Sequence, residues 1–447
     1  MNADVATGAG RGAGMSAETS VVIVGGGFAG VACARRLAGT DGIRVVLLDR
    51  GGFQQFQPLL YQVATAELTS QDIRFDLTRI FRHRPGVEVR QADVTGVDPQ
   101  TMTVTLDGGE TLTADYLVVA AGAQPNFFHT PGAREHSFPL YSVEDARQVR
   151  GRILTVFADV AREPRLVDEG ALNFVIVGGG PTGVETAGAL SELIHDVLPG
   201  VYSQAPCGHA QIILVDRGHA LLSAFSDQAG AYAAKQLHRR GVQVRLGTSV
   251  KQVDADSVTL GDGEVIKTRL VVWGGGEQAA DVATTGGLPT GRGGRIDVQP
   301  DLTVPGHPRV YALGDIANIP SGDEPALPQL GSVAQQSGRW AADNIIAQVG
   351  GKPPHPFHYR DKGIMAMIGT KAAIAEIGPH RHELHGRFAF VAWLGVHLEL
   401  LGEVDAELKA YIAWAQEFYL RPHHRSAALL DPSRIDTPRI DWSTTDS

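Results

Sequence analysis

The chain has 447 residues, long enough for two or three domains, with 43% hydrophobic and 20% charged residues, the balance of a soluble globular protein. A net charge of −10 argues against a nucleic-acid surface, and two cysteines far apart, Cys33 and Cys207, exclude a disulfide scaffold, a cysteine zinc site and a CxxC redox pair. No apolar run reaches the roughly 18–20 residues that span a bilayer, and the N-terminus lacks a signal-peptide core, so the expected location is the cytoplasm or the cytoplasmic face of a membrane.

Residues 1–19, rich in Gly, Ala, Ser and Thr, read as a disordered tail. Val21-Val22-Ile23-Val24 then reads as a buried parallel strand, followed without a break by Gly25-Gly26-Gly27-Phe28-Ala29-Gly30 and a helix reaching Leu37. Each glycine has a mechanical reason to be there. Gly25 makes the turn, Gly27 lets backbone approach a pyrophosphate, and Gly30 lets helix and strand pack closely. The next strand, Arg44 to Leu48, ends at Asp49, whose carboxylate suits a ribose diol, with Arg50 beside it. Strand, glycine turn, helix and terminal acid together make a dinucleotide site.

Phe53 to Ile73, broken by Pro58, fits either a segment folded over a ligand or ordinary connecting structure. Val87–Arg90, Met102–Leu106 and Thr111–Thr113 read as short strands, with Asp107-Gly108-Gly109 as a hairpin turn. Tyr116–Ala120 is another buried strand, closing in Ala121-Gly122-Ala123, small enough to pass beside a cofactor. The pattern then repeats: strand Phe174–Val177, fingerprint Gly178-Gly179-Gly180-Pro181-Thr182-Gly183, a helix over Val184–Ile194, and a strand from Gln211 ending at Asp216. The simplest chemistry that needs two dinucleotide sites in one chain is hydride traffic between a nicotinamide and a flavin. Asp216 would repel a 2′-phosphate and favour NADH, while Arg217 beside it suits that phosphate.

Further on, Gln329 to Val349 reads as a helix with small and polar residues near its start. His380, His382 and His385 sit between turn-forming glycines and read as a hairpin loop rather than a metal site. Phe388–Leu401 is apolar nearly all round, and Val404, Leu408, Tyr411, Ile412, Ala415, Phe418 and Tyr419 trace a stripe on a second helix. Such helices suit a membrane interface that feeds a lipid-soluble substrate; a homodimer interface, or packing on the protein's own core, is the other reading.

These features resemble the two-dinucleotide-domain flavoprotein reductases, and among them the type II NADH:quinone oxidoreductases, from about Val21 to about Tyr419. The more specific stretches are Pro58-Leu59-Leu60-Tyr61-Gln62-Val63-Ala64, Gly314-Asp315, Ala334-Gln335-Gln336-Ser337-Gly338 and Asp361-Lys362-Gly363. The resemblance implies an α/β fold of two Rossmann-like domains. An FAD-binding domain over 20–140 and 295–356 holds an inserted NAD(H)-binding domain over 141–294, and a C-terminal region over 357–447 carries amphipathic helices. It implies FAD at the first fingerprint with Gly314, Asp315 and Ala334, and NADH at the second with Asp216 and Gly276. It also implies roles for Gln335 at a quinone carbonyl, for Lys362 near the flavin, and for Glu185 in proton handling. A surface glutamine, a turn lysine and a first-turn helix glutamate are the ordinary readings of those three. The expected reaction is ping-pong hydride transfer from NADH through FAD to a membrane quinone, without proton pumping. Glu403, Asp405 and Glu407 depart from the family's usual basic character there. A soluble NAD(P)H-dependent flavoprotein reductase of a small redox protein and a flavin-bound redox sensor remain as alternatives.

Overall fold

The computed structural model describes residues 18–322, 326–370, 372–378 and 380–401 together with 430, 431 and 440; for 397–401 it describes backbone alone. The tail before residue 18, the acidic stretch at 403–407 and the second C-terminal stripe at 404–419 lie outside the described residues.

Two parallel sheets carry the architecture. In the first, six strands run in the order Thr303–Val304, His307–Ala312, Tyr116–Val119, Thr19–Val24, Ile43–Asp49, Val87–Gln91, parallel except for the first, short edge strand. The second has five parallel strands in the order Phe138–Pro139, Leu270–Trp273, Asn173–Val177, Gln211–Asp216, Val242–Leu246. Their apolar runs lack alternation because both sheet faces are covered; Val21, Ile23, Val45 and Leu47 in one sheet and Phe174, Val175, Ile176 and Leu214 in the other are all fully buried. The repeat extends to an antiparallel three-stranded hairpin in each half, Val94–Asp98 to Thr111–Thr113 and Val250–Val253 to Val265–Lys267.

Helix α1 (Phe28–Leu37) follows the first fingerprint, α2 (Leu60–Ala64) packs against the next helix, and that one, α3 (Val143–Arg162), opens the second half through a capping box of Ser142 and Asp145. Helix α4 (Pro181–Glu192) follows the second fingerprint, α5 (Gly331–Val349) packs along α1, and α6 (Gly386–Leu401) closes the described chain. The two passages of chain between the halves run side by side: Ala123–Pro125 pairs antiparallel with Glu277–Ala279. Phe138–Pro139 already belongs to the second sheet, and Ile296–Asp297 pairs back with Ala317–Asn318 beside the first.

After the second passage a three-stranded antiparallel sheet, Gly363–Gly369, Ala372–Ile377 and His382–His385, packs against α4. Gly188 makes this possible, since a Cβ there would lie 2.2 Å from the Ile368 carbonyl oxygen. His382 and His385 are in the third strand of this hairpin sheet, His380 in the turn before it; among the described residues no group of three or more His, Cys, Asp or Glu is placed to hold a metal ion. Helix α6 buries Ala389, Phe390 and Trp393 and turns Phe388, 81% exposed, and Val391, 59% exposed, outward. No helix among the described residues is long and apolar enough to cross a membrane.

Candidate active site

The two glycine fingerprints fold alike, for the same steric reasons. Gly25 (φ +106°) and Gly178 (φ +110°) turn through backbone conformations that side chains rarely adopt, and a Cβ on either would strike a carbonyl oxygen, that of Ala120 at 2.3 Å or Gly274 at 2.4 Å. A Cβ on Gly30 or Gly183 would lie 1.8 Å from the oxygen of Gly25 or Gly178, so helix and turn touch only because both are glycine. Gly27 and Gly180 are different: among the described residues nothing lies within 4 Å of their missing Cβ atoms, which leaves an open approach to backbone. Both helices that follow lack a side-chain N-cap, so their first-turn N–H groups remain available to an anion, with Phe28, Ala29 or Pro181, Thr182 as the flanking residues.

The acids at the strand ends do more than their position in the sequence indicates. Asp49 Oδ2 accepts from Gly26 N at 2.8 Å and its Oδ1 from Gly51 N and Gly52 N at 2.9 Å; Asp216 Oδ2 accepts from Gly179 N and its Oδ1 from Gly218 N, both at 2.6 Å. Each carboxylate therefore braces its own glycine turn, with lone pairs left for a ribose.

A cavity of about 720 Å³ opens at the first fingerprint. Gly25, Gly27, Phe28, Ala29, Asp49, Arg50, Ala121, Gly122, Gly314, Asp315 and Ala334 all line it, with Phe53, Gln55 and Gln57 from the segment before α2. Gly30 does not; it is the packing glycine beneath. Asp315, on the cavity wall, is half-buried, its Oδ1 has no hydrogen-bond partner among the described residues, and desolvation pushes its carboxyl up to about 6 against the pull of Arg295. A carboxyl on the cavity wall fits the hydroxyl-rich chain of a flavin nucleotide, as the open backbone at Gly27 fits its pyrophosphate. Gly314 (φ +66°) is wedged between Ala29 and Ala334, with its N–H donating to Ser337 Oγ at 3.2 Å, and Gly338 lets α5 cross α1 where a Cβ would meet the Ala29 oxygen at 2.2 Å. Gly314, Ser337 and Gly338 are thus the contact at which α5 meets α1.

Gln335 occupies a different place from its neighbour Ala334. It lines a second cavity of about 260 Å³ between α1 and α5, with Arg35, Arg36, Gln54 and Arg339, and Phe28 is the wall the two cavities share. Gln336 instead braces the passage toward Lys362: its amide donates to Arg360 O and accepts from Arg360 N, both at 3.0 Å. Ser332 and Tyr359 hydroxyls meet at 2.9 Å beside it, and Lys362 itself is exposed at the start of the C-terminal sheet.

Glu185 is not a first-turn residue. The helix begins at Pro181, so Glu185 is its fifth position and points inward, 9% exposed, accepting from Met367 N at 3.1 Å. Burial pushes its carboxyl up to about 8, so at neutral pH it is mostly protonated. Tyr61 of α2 is buried nearby, its hydroxyl accepting from Gln62 Nε2 at 3.2 Å, and both desolvation and Glu185 raise its pKa. Glu277 joins the site without any local signal in the sequence. On the second passage between halves it is exposed, yet desolvation and the charge of Asp315 raise its carboxyl to about 7. Tyr141 lines the large cavity and accepts from Ala123 N at 3.0 Å. Gly276, at φ +151°, has the ring of Phe128 where a Cβ would be, 2.7 Å away. Cys33 and Cys207 are buried free thiols in different elements, and neither lines the large cavity.

The family model for pyridine nucleotide-disulphide oxidoreductase matches residues 19–338. The chain is similar to a type II NADH:quinone oxidoreductase, Ndh, of Mycobacterium tuberculosis, 34% identical over 418 residues that cover 89% of this chain and 88% of that one. It is also similar to the type II NADH:quinone oxidoreductase of Haemophilus influenzae, 28% identical with 85% and 92% covered. Its fold superposes on NDH2 of Plasmodium falciparum solved with NADH, with a TM-score of 0.83 at 18% identity over 91% of this chain and all of that one. With two flavin-reductase fingerprints folded alike and relatives matched over nearly nine-tenths of its length, the chain belongs to the pyridine nucleotide-disulphide oxidoreductases and, within them, to the type II NADH:quinone oxidoreductases.

Proposed function

We propose that the enzyme holds FAD in the 720 Å³ cavity, takes NADH at the second fingerprint, and reduces a membrane quinone in a separate half-reaction without translocating protons. The observation that carries this reading is the cavity itself, whose wall includes both Gly27, at the start of α1, and Asp315. The first-turn N–H groups of α1 would receive the pyrophosphate, Asp49 a ribose, and Asp315 the hydroxyls toward the ring system. When bound, FAD supplies two-electron chemistry, accepting from a dihydronicotinamide and giving to a quinone.

The chain's own groups serve the rest. The uncapped first turn of α4 receives the pyrophosphate of NADH, and Asp216 its adenosine ribose. Glu185 and Glu277, both titrating nearer neutrality than ordinary carboxyls, hold protons at the junction of the two halves, where quinone reduction consumes them. Lys362, Gln335 and the Ser332–Tyr359 pair are the polar groups we assign to the quinone side. The outward face of α6, Phe388 and Val391, is the surface we assign to the bilayer, at its cytoplasmic face.

Initial rates measured over a grid of NADH and short-chain quinone concentrations test the scheme. Parallel double-reciprocal lines are expected, and lines that intersect would overturn it. Proteoliposomes turning over NADH should show no acidification of the lumen.

A further inference from the structure

One large apolar side chain stands in the open at the mouth of the second crevice. Phe128 is 45% exposed, yet its position is fixed. Phe128 and His129 are consecutive non-glycine residues in the left-handed region, at φ +51° and +56°, a conformation that persists only where its surroundings impose it. Asn126 imposes it: its Oδ1 accepts from Phe128 N at 2.8 Å, its N–H donates to Gly276 O at 3.0 Å, and its carbonyl accepts from Trp273 Nε1 at 2.9 Å. The loop is tied to the end of strand Leu270–Trp273, and the ring is laid against Gly276, where any side chain would collide with it.

The ring also meets Arg217, whose guanidinium carbon is 5.2 Å from the ring centroid. Gly276 follows the strand on one side of the fingerprint strand Asn173–Val177, and Arg217 follows the strand on the other. Neighbouring strands are about 4.8 Å apart, so ring and guanidinium together cover the ~10 Å mouth between the two flanking strands. To reach a ring that rests on Gly276, Arg217 must lean inward over the glycine turn, toward a pyrophosphate, and not outward beyond Asp216, where the 2′-position of an adenosine ribose lies.

We infer that Phe128 is a positioning residue that sets the choice of nucleotide: its ring holds the Arg217 guanidinium inward over the glycine turn, withholds it from a 2′-phosphate, and thereby favours NADH over NADPH. The inference rests on the proposed docking of the nucleotide at the second fingerprint. The test measures kcat/KM for NADH and NADPH, with a short-chain quinone as acceptor, in the flavin-loaded full chain. Phe128→Ala should raise the NADPH to NADH ratio at least threefold, by freeing Arg217. Phe128→Tyr, which keeps the aromatic face, should retain the original ratio. Phe128→Ala combined with Arg217→Ala should lose the gain. Phe128→Leu fills the same space without the aromatic face and carries the same expectation as the alanine variant should that one fold poorly. A ratio unchanged in the alanine and leucine variants, or a gain that survives loss of Arg217, would overturn the inference. An Asp216→Asn variant separates the two failures: if it changes neither nucleotide's kcat/KM, the docking site itself is wrong, whereas a responsive Asp216 with an indifferent Phe128 removes this inference alone.

Discussion

Replacing Glu185 by glutamine should abolish a pH-dependence of stability that the wild-type fold carries. The carboxyl is buried with one backbone donor, Met367 N, and is pushed up to about 8, against about 4.3 in an unfolded chain. Between those values the folded state holds a proton that the unfolded state has released, so stability falls as pH rises and levels off only above about 8. The whole window corresponds to something on the order of 5 kcal/mol, and the part between pH 6 and 8 to about 2 kcal/mol. Asp315, raised to about 6, contributes a loss of the same sign mostly below that part, and Glu277, raised to about 7, contributes within it. The quantity to read is therefore the difference between variant and wild type. Glutamine keeps an oxygen to accept from Met367 N and cannot ionise, so the variant should lose less stability on the alkaline side. At roughly 1 °C per kcal/mol for a chain of 447 residues, the wild-type melting temperature should fall about 2–3 °C more than that of the variant between pH 6 and 8. Differential scanning calorimetry of both proteins across that range makes the comparison. Equal slopes would refute the burial argument for this carboxyl.

Four further outcomes are expected. Gly30→Ala, which brings a methyl group to 1.8 Å from the Gly25 oxygen, should cost several kcal/mol and lower the yield of folded protein. Gly27→Ala, which meets nothing, should fold with a melting temperature near wild type yet lose most of its bound flavin, read as the ratio of flavin to protein absorbance. Asp315→Asn removes a half-buried charge one of whose oxygens has no hydrogen bond among the described residues, so the flavin-free protein should gain about 1 kcal/mol at pH 8 in urea denaturation, while flavin retention falls. Gln335→Ala, if its amide serves the quinone, should raise the quinone KM at least fivefold and leave the NADH KM within twofold; an unchanged quinone KM would assign Gln335 to the arginine-lined cavity alone.

The parts of this enzyme legible in the sequence were those governed by local rules. Gly25, Gly30, Gly178 and Gly183 could be assigned mechanical roles because strand, turn and helix are contiguous, and their would-be Cβ collisions match those roles. The repeat of the fingerprint foretold two sheets of the same design. What sequence could not reach depends on residues brought together from far apart. Glu185 looked like a helix-start acid because nothing local announces that Met367, 182 positions later, will cover it. Glu277 and Asp315 influence each other only because the chain passes twice between the halves, at Ala123–Pro125 and Glu277–Ala279. Gln335 and Gln336 are adjacent in sequence but face different neighbours, and helical periodicity alone does not say which of them looks toward the arginines and which toward Arg360.

The most direct test of the account follows the flavin itself under anaerobic conditions. The purified protein should carry about one FAD per chain, identified after release by mass spectrometry. NADH alone should bleach its absorbance, and a quinone added afterwards should restore it. A colourless protein that binds no FAD on reconstitution, or a bound flavin that NADH fails to bleach, would contradict the account.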